Sequence, residues 1–241
     1  MSTIWSGKDL NDFGMRLLAE LKFDGAERDI DEIEIPGRDG VVVRDNQRFN
    51  PVIQNFKFTI SLLKGKSNLE SQIKEAQSFI SGIYSFKDFS WDGEPNYIFK
   101  AKVDGKSSTT RDNPWIASVD VPVKLFPMKY LKDTYSNART LKSGESFQSK
   151  GTQVAYPIIT LTGTGNVTLT VNGKTFILKN VTGGVVIDCE NQVVTDLAKK
   201  NSQMDKVYSY PFPALKIGSN TISWDNLAFT GTIIERWCEL A

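Results

Sequence analysis

Val167-Thr168-Leu169-Thr170-Val171-Asn172-Gly173-Lys174-Thr175-Phe176-Ile177-Leu178 reads as a β-hairpin. Val167, Leu169 and Val171 alternate with threonine. Asn172-Gly173 then supplies a type I′ turn, whose two central residues both take positive φ, and Phe176 and Leu178 resume the apolar face. The same period recurs on either side in short runs. Ile158, Ile159 and Leu161 precede the hairpin after Pro157, and Val185, Val186 and Ile187 follow Gly183-Gly184. Ile222 and Trp224 follow Gly218-Ser219-Asn220, and Ile233, Ile234, Arg236 and Trp237 close the chain. Short strands divided by Gly and Asn turns predict a β-sandwich over residues 151–241. Gly163-Thr164-Gly165 lacks a third glycine and precedes a strand, so it reads as a turn rather than a nucleotide loop.

The first half is also strand-rich. Phe56, Phe58, Ile60 and Leu62 alternate with polar residues, as do Tyr97, Phe99, Ala101 and Val103, and Val119, Val121, Val123 and Leu125. Pro122 places the last of these at an edge or a bulge. One helix is predicted, with Leu69, Ile73, Ala76, Phe79, Ile80 and Ile83 on its apolar face and Gln72, Lys74, Glu75, Gln77 and Ser78 opposite. Ser67 and Glu70 have capping-box spacing, and Gly82 lies at the helix end. The polar stretch from Asp104 to Pro114 is expected to project as a long hairpin arm. The stretch from Pro127 to Gly151 is rich in Lys, Asp, Ser, Asn and Gly, with Leu131, Tyr135, Leu141 and Phe147 only scattered. The reading is a mainly β chain with one prominent helix: a first domain over 1–130, a junction over 131–150 and a second domain over 151–241.

Composition removes several kinds of chemistry. The 241 residues contain no histidine, which excludes a Ser-His-Asp triad, Cys-His catalysis and His-ligated zinc or iron. The only two cysteines, Cys189 and Cys238, are too few for a structural zinc site and are expected as reduced thiols. Lys plus Arg is 29 and Asp plus Glu is 28, a balance that argues against nucleic acid as the main partner. The first 128 residues carry 17 basic and 19 acidic side chains, so the second half is the more basic. No leader peptide is seen at the start. The longest uncharged stretch, Gly151 to Gly173, is too rich in Thr and Gly for a membrane helix. Oxygen-ligated calcium and a two-carboxylate glycosidase remain open on composition.

Four features could carry function. Ile35-Pro36-Gly37-Arg38-Asp39-Gly40 could offer a guanidinium to an anion, or be a tight turn using glycine at positive φ. The acidic run from Glu20 to Glu34 could bind calcium, but it lacks EF-hand spacing and reads better as a solvated loop. Of the five tryptophans, Trp91 and Trp115 stand beside loop signals and are the candidates for an aromatic sugar platform. No spacing among the 28 acids selects a catalytic pair.

The chain also resembles the distal tail proteins (Dit) of siphophages. The runs that carry the resemblance follow one order over nearly the full length. They are Trp5 to Gly14, Ile35-Pro36-Gly37-Arg38-Asp39-Gly40, the helix after the phenylalanine-rich strand, Phe126-Pro127, Tyr156-Pro157-Ile158-Ile159, Gly163 to Asn166, Val171-Asn172-Gly173, Ile187 to Glu190, Phe212 to Leu215, Gly218-Ser219-Asn220 and Arg236-Trp237. The resemblance implies a split β-barrel (RIFT-like) first domain with a helix and a galectin-like β-sandwich second domain. It implies a homo-hexameric ring at the virion tail tip, made in the bacterial cytoplasm, with the tail tube protein, a tail fibre or hub protein and the receptor-binding apparatus as partners. It implies no enzyme activity, no cofactor, no metal, no nucleic-acid specificity and no membrane partner. Gly37, Arg38, Asp39, Gly40, Phe56, Phe58, Ile60, Asp104, Arg111 and Trp115 are the expected ring or tube contacts, because strand edges and loops serve heterologous interfaces. The rival readings are a carbohydrate-binding module for host wall and a carboxylate-dependent tail glycan hydrolase.

Overall fold

The computed structural model describes residues 2–18, 24–66 and 68–241. The chain forms two compact units: Met1–Lys129 with Leu240–Ala241, and Tyr130–Glu239.

The first unit is built on one ladder. Strand Val52–Ser61 pairs antiparallel with the first ten residues of the long strand Ile116–Leu131, from Ile116 opposite Ser61 to Leu125 opposite Val52. Period-two alternation sends Phe56, Phe58, Ile60, Val119, Val121 and Val123 to one side, where all are buried. Among the described residues the sheet runs Lys8–Asp9, Thr3–Trp5, Lys87–Trp91, Tyr97–Val103, the long strand, Val52–Ser61 and Met15–Leu17, and it curls into a half-barrel. Trp5 meets Phe89 and Phe56 edge-on with centroids 5.5 and 6.3 Å apart, and its Nε1 donates to the Ala101 carbonyl at 3.3 Å. Burial of each such side chain contributes about 1.5–3 kcal/mol, so the alternation of this ladder dominates the unit.

Helix Leu69–Ser81 buries Leu69, Ile73, Ala76 and Ile80, as its spacing predicts. Its N-cap is Asn68, whose side chain accepts the Ser71 N–H at 2.8 Å; Ser67, the predicted cap, lies outside the described residues. Gln72 corrects the helical reading. It is fully buried rather than solvated. Its Nε2 donates to the carbonyls of Ser61 at 2.6 Å and Phe13 at 3.0 Å, and its Oε1 accepts the Leu63 N–H at 2.9 Å. Gly14 makes room for it: at φ +67°, a Cβ there would stand 2.0 Å from the Gln72 Nε2.

Two expectations about the first unit change. Pro122 sits on a central strand, not an edge. Its carbonyl accepts the Asp104 N–H at 2.9 Å, where Tyr97–Val103 gives way to Ser108–Asn113, so its missing N–H falls at a break in the neighbouring ladder. The stretch 104–114 does not project. Ser108–Asn113 folds back on the long strand, with Ser108 opposite Asp120, and Thr109 Oγ1 accepts from Gln77 of the helix at 3.0 Å.

The second unit is a sandwich of two antiparallel sheets. One runs Arg139–Leu141, Thr230–Ile234, Ile158–Thr162, Val185–Asp188, Val193–Thr195; the other runs Glu145–Gln148, Ser219–Trp224, Gly165–Val171, Lys174–Val181. The Asn172-Gly173 turn has φ +52° and +80°, as a type I′ turn requires. Trp224 of one sheet lies against Gly231 of the other, where a Cβ would come within 2.8 Å of the indole. Residues 131–150, whose composition suggests a junction, supply an outer strand to each sheet. They are pinned by Arg139, which donates to Glu235 and Glu145 at 2.6 Å each and lies 4.7 Å over the Phe147 ring. Glu235 also accepts from Trp237 Nε1 at 2.6 Å.

Gln72→Leu strands three buried backbone groups and is expected to lower stability by about 2–4 kcal/mol in urea unfolding. In the sandwich, the Thr168 N–H holds the Asp225 carboxyl below its ordinary range, and the Lys142 N–H, with Arg139, does the same for Glu145. Groups so depressed stabilise the fold above the unfolded carboxylate range, near pH 4, and lose that contribution as pH falls through the folded values. Unfolding curves at pH 7 and pH 3 are therefore expected to lie closer together for Asp225→Asn than for the unaltered chain.

Candidate functional site

The first unit carries a two-stranded ribbon apart from its main sheet, formed by Arg28–Glu34 and Val41–Phe49 with Glu34 opposite Val41 and Arg28 opposite Phe49. This corrects the reading of the acidic run as a loop: from Arg28 onward it is strand. Ile30, Ile33, Ile35, Val41 and Val43 are all 42–56% exposed. A lone two-stranded ribbon is marginal in water. Here charge at its base helps to hold it. Arg28 grips Asp45 through two hydrogen bonds, at 2.5 and 3.0 Å, and lies 5.0 Å over the Phe49 ring, while Arg48 pairs with Asp29. These guanidinium groups hold the Asp45 and Asp29 carboxyls below their ordinary range.

Ile35-Pro36-Gly37-Arg38-Asp39-Gly40 is the tip of this ribbon. Gly37 and Gly40 have φ +82° and +79°, and Arg38 donates its N–H to the Ile35 carbonyl at 3.1 Å. Both the turn reading and the exposure of Arg38 and Asp39 follow from this geometry. Neither side chain has an ion-pair partner among the described residues. The arm that sequence reasoning placed at 104–114 is therefore at 28–49.

The other expected contact residues separate into two sets. Phe56, Phe58 and Ile60 are fully buried, and their strand is flanked on both sides, so they belong to the core and leave the contact set. Asp104, Arg111 and Trp115 are at the surface. Asp104 pairs with Lys102 at 3.2 Å and Lys124 at 3.4 Å, which lowers its carboxyl; Arg111 pairs with Glu70 at 3.4 Å; Trp115 is 65% exposed. The platform pair is not equivalent. Trp91 is half-buried with its indole folded over Gly93, where a Cβ would fall 1.9 Å from the ring, so of the two only Trp115 presents an open ring.

Charge in the sandwich is spent on its own architecture. Glu190 accepts from Tyr130 at 2.6 Å and from Arg236 at 3.0 Å, and burial pushes the Tyr130 hydroxyl up, with the Glu190 charge adding to it. A groove of about 270 Å³ lined by Ile158, Val186 and Val193 holds one carboxylate, Asp188, which Asn191 and Arg236 engage. Among the described residues no three His, Cys, Asp or Glu side chains converge on a metal-sized site, and no helix is long and apolar enough to cross a membrane.

No protein-family model matches the sequence, and no curated protein matches it. Among solved structures, the chain is similar to the Dit protein (gp 19.1) of phage SPP1, described as a paradigm of the hub adsorption apparatus in phages that infect Gram-positive bacteria. The TM-score is 0.67 at 13% identity, and the match covers 96% of each chain. The chain thus has a Dit-like fold, mainly β, with a curled half-barrel sheet in its first unit.

An exposed ribbon with an unpartnered arginine at its tip is an open protease site. For the single chain, at concentrations too low for copies to associate, brief trypsin treatment is expected to cut first after Arg38 and to leave the remaining chain intact by mass spectrometry; first cuts within the sheets or the sandwich would contradict this geometry.

Proposed function

We propose that this chain is a structural subunit of a siphophage or prophage tail tip, and that six copies close into a ring joining the tail tube to the adhesion apparatus for host attachment. The observation that carries the reading is the match to a hub adsorption protein through both units and over 96% of each chain. The first unit is the ring former, the second faces the tail fibre or hub protein and the receptor-binding apparatus, and the tail tube protein stacks on the ring. The role is mechanical and needs no catalytic group, cofactor or metal.

The ribbon supports this reading. In a closed ring each contact is heterologous, one surface of a copy meeting a different surface of the next. An arm with apolar residues on both faces and two open edges suits such a contact, because association removes from water what its own copy leaves exposed. Gly37, Arg38, Asp39 and Gly40 are placed at that contact, with Asp104, Arg111 and Trp115 as further surface candidates. The glycan-platform reading rests on Trp115 alone, and loss of wall-polysaccharide binding in Trp115→Ala would favour it.

Native mass spectrometry over a concentration series, with negative-stain images, is expected to give hexameric rings. A monomer at every concentration, even with the tail tube protein added, would overturn the reading. Replacing residues 30–45 by a short Gly-Ser turn is expected to abolish the rings while moving the melting temperature by no more than a few degrees, since that ribbon adds little to either core.

A further inference from the structure

Beside the end of helix Leu69–Ser81 lies an open groove of about 560 Å³, formed with the turn that follows strand Tyr97–Val103. Ile80 and Ile83, almost fully buried, lie beneath it, and its accessible apolar surface is the half-buried Val103 and the 81% exposed Tyr84. Lys106 also lines it and has no ion-pair partner among the described residues. Ser81, on the last turn of the helix, lines it too, and there the helix dipole is negative. The groove is thus lined by apolar surface, one cation and the partly negative end of a helix.

We propose that this groove is the seat of the ribbon tip of an adjoining copy of the chain, an inference that rests on the ring reading above. The two surfaces match in kind. Ile35 and Pro36 supply the apolar contact for Tyr84 and Val103. Asp39 meets Lys106, and Arg38 meets the negative end of the helix. Three charged groups that are unpaired within one copy become paired across two. Gly37 and Gly40, both at positive φ, hold Arg38 and Asp39 on a turn narrow enough to enter. The contact is heterologous, as a ring requires: a copy gives its tip to one neighbour and receives the tip of the other.

Disulfide trapping in the full-length chain tests the seat. Cys189 and Cys238 are buried and do not compete for oxidant. Asp39→Cys and Lys106→Cys are made as separate proteins, mixed, oxidised with copper phenanthroline and run on non-reducing gels, with native mass spectrometry on the same sample. The expected result is a covalent heterodimer that neither variant forms alone, and a ladder reaching six chains from the double variant. Rings without an inter-chain disulfide would overturn the seat and leave the ring reading standing, whereas absence of rings would overturn both. Equal trapping of Asp39→Cys by Ser146→Cys, a cysteine placed on the sandwich, would also overturn the seat, because the encounter would then be unspecific. Both substitutions lie on exposed turns, so the fold tolerates them. As a second readout, Asp39→Lys is expected to raise the concentration needed for assembly at least tenfold, and adding Lys106→Asp to it is expected to restore assembly; no rescue would count against the ion pair.

Discussion

The register between Val52–Ser61 and Ile116–Leu125 governs the first unit. A slip of one residue by either strand would turn its own apolar set toward water, Phe56, Phe58 and Ile60 in one case or Val119, Val121 and Val123 in the other, and bring Lys57, or Asp120 and Lys124, inward. The loss of apolar burial, about 1.5–3 kcal/mol for each side chain, would be comparable to the usual net stability of a domain. Everything else in the unit is referred to this ladder. Gln72 ties the helix to the carbonyl of Ser61, at the ladder's end, and the edge Ser108–Asn113 takes its place from Ala117 to Asp120. The ribbon leaves the sheet at Asn50, whose N–H donates to Glu27 at 2.8 Å, so its base is held even though its shaft is not.

How much of this is legible in sequence depends on whether burial repeats locally. The hairpin at 167–178, the helix at 69–81 and the strands at 56–62 and 119–125 have one clear apolar face each, and the periods of 2 and 3.6 expose them. The ribbon has no such face. Ile30 and Ile33 fall on opposite sides with Asp31 and Glu32 between them and Asp29 just before, so Arg28–Glu34 reads as an acidic loop. Alternation marks a strand only when one side is dry. Gln72 escapes for a related reason: a polar residue beside the apolar stripe reads as solvated, and what buries it is backbone from Phe13 and Ser61, 59 and 11 residues away.

The candidate contact residues divide along the same line. Whether a strand is an edge depends on its partners, and those of Val52–Ser61 lie far away in sequence at Met15–Leu17 and Ile116–Leu125. Local pattern therefore cannot tell that Phe56, Phe58 and Ile60 are enclosed. A turn with two glycines flanking Arg-Asp is legible at once, because its backbone needs are local. What sequence leaves out is that this turn crowns a ribbon rather than closing a loop. Composition likewise marks 131–150 as a junction, although Leu141 is buried and Arg139 is the hub of an ion pair network.

The chain leaves its first unit at Lys129 and comes back to it at Leu240, with Ala241 donating to the Pro127 carbonyl at 2.9 Å and accepting from Ala26 at 3.3 Å. Topologically the sandwich is a domain inserted near the end of the first fold rather than one appended to it. If it unfolds while the first unit persists, about 110 residues become a loop closed at both ends, whose entropy is lower than that of a free tail and grows only logarithmically with length. Lengthening the insert therefore costs the host fold little, so sandwiches of different size, or with added loops, can occupy the same slot without redesign of the first unit. The last two residues act as a closing clasp, and a substitution there bears on the first unit, at the opposite end of the sequence from the core it seals.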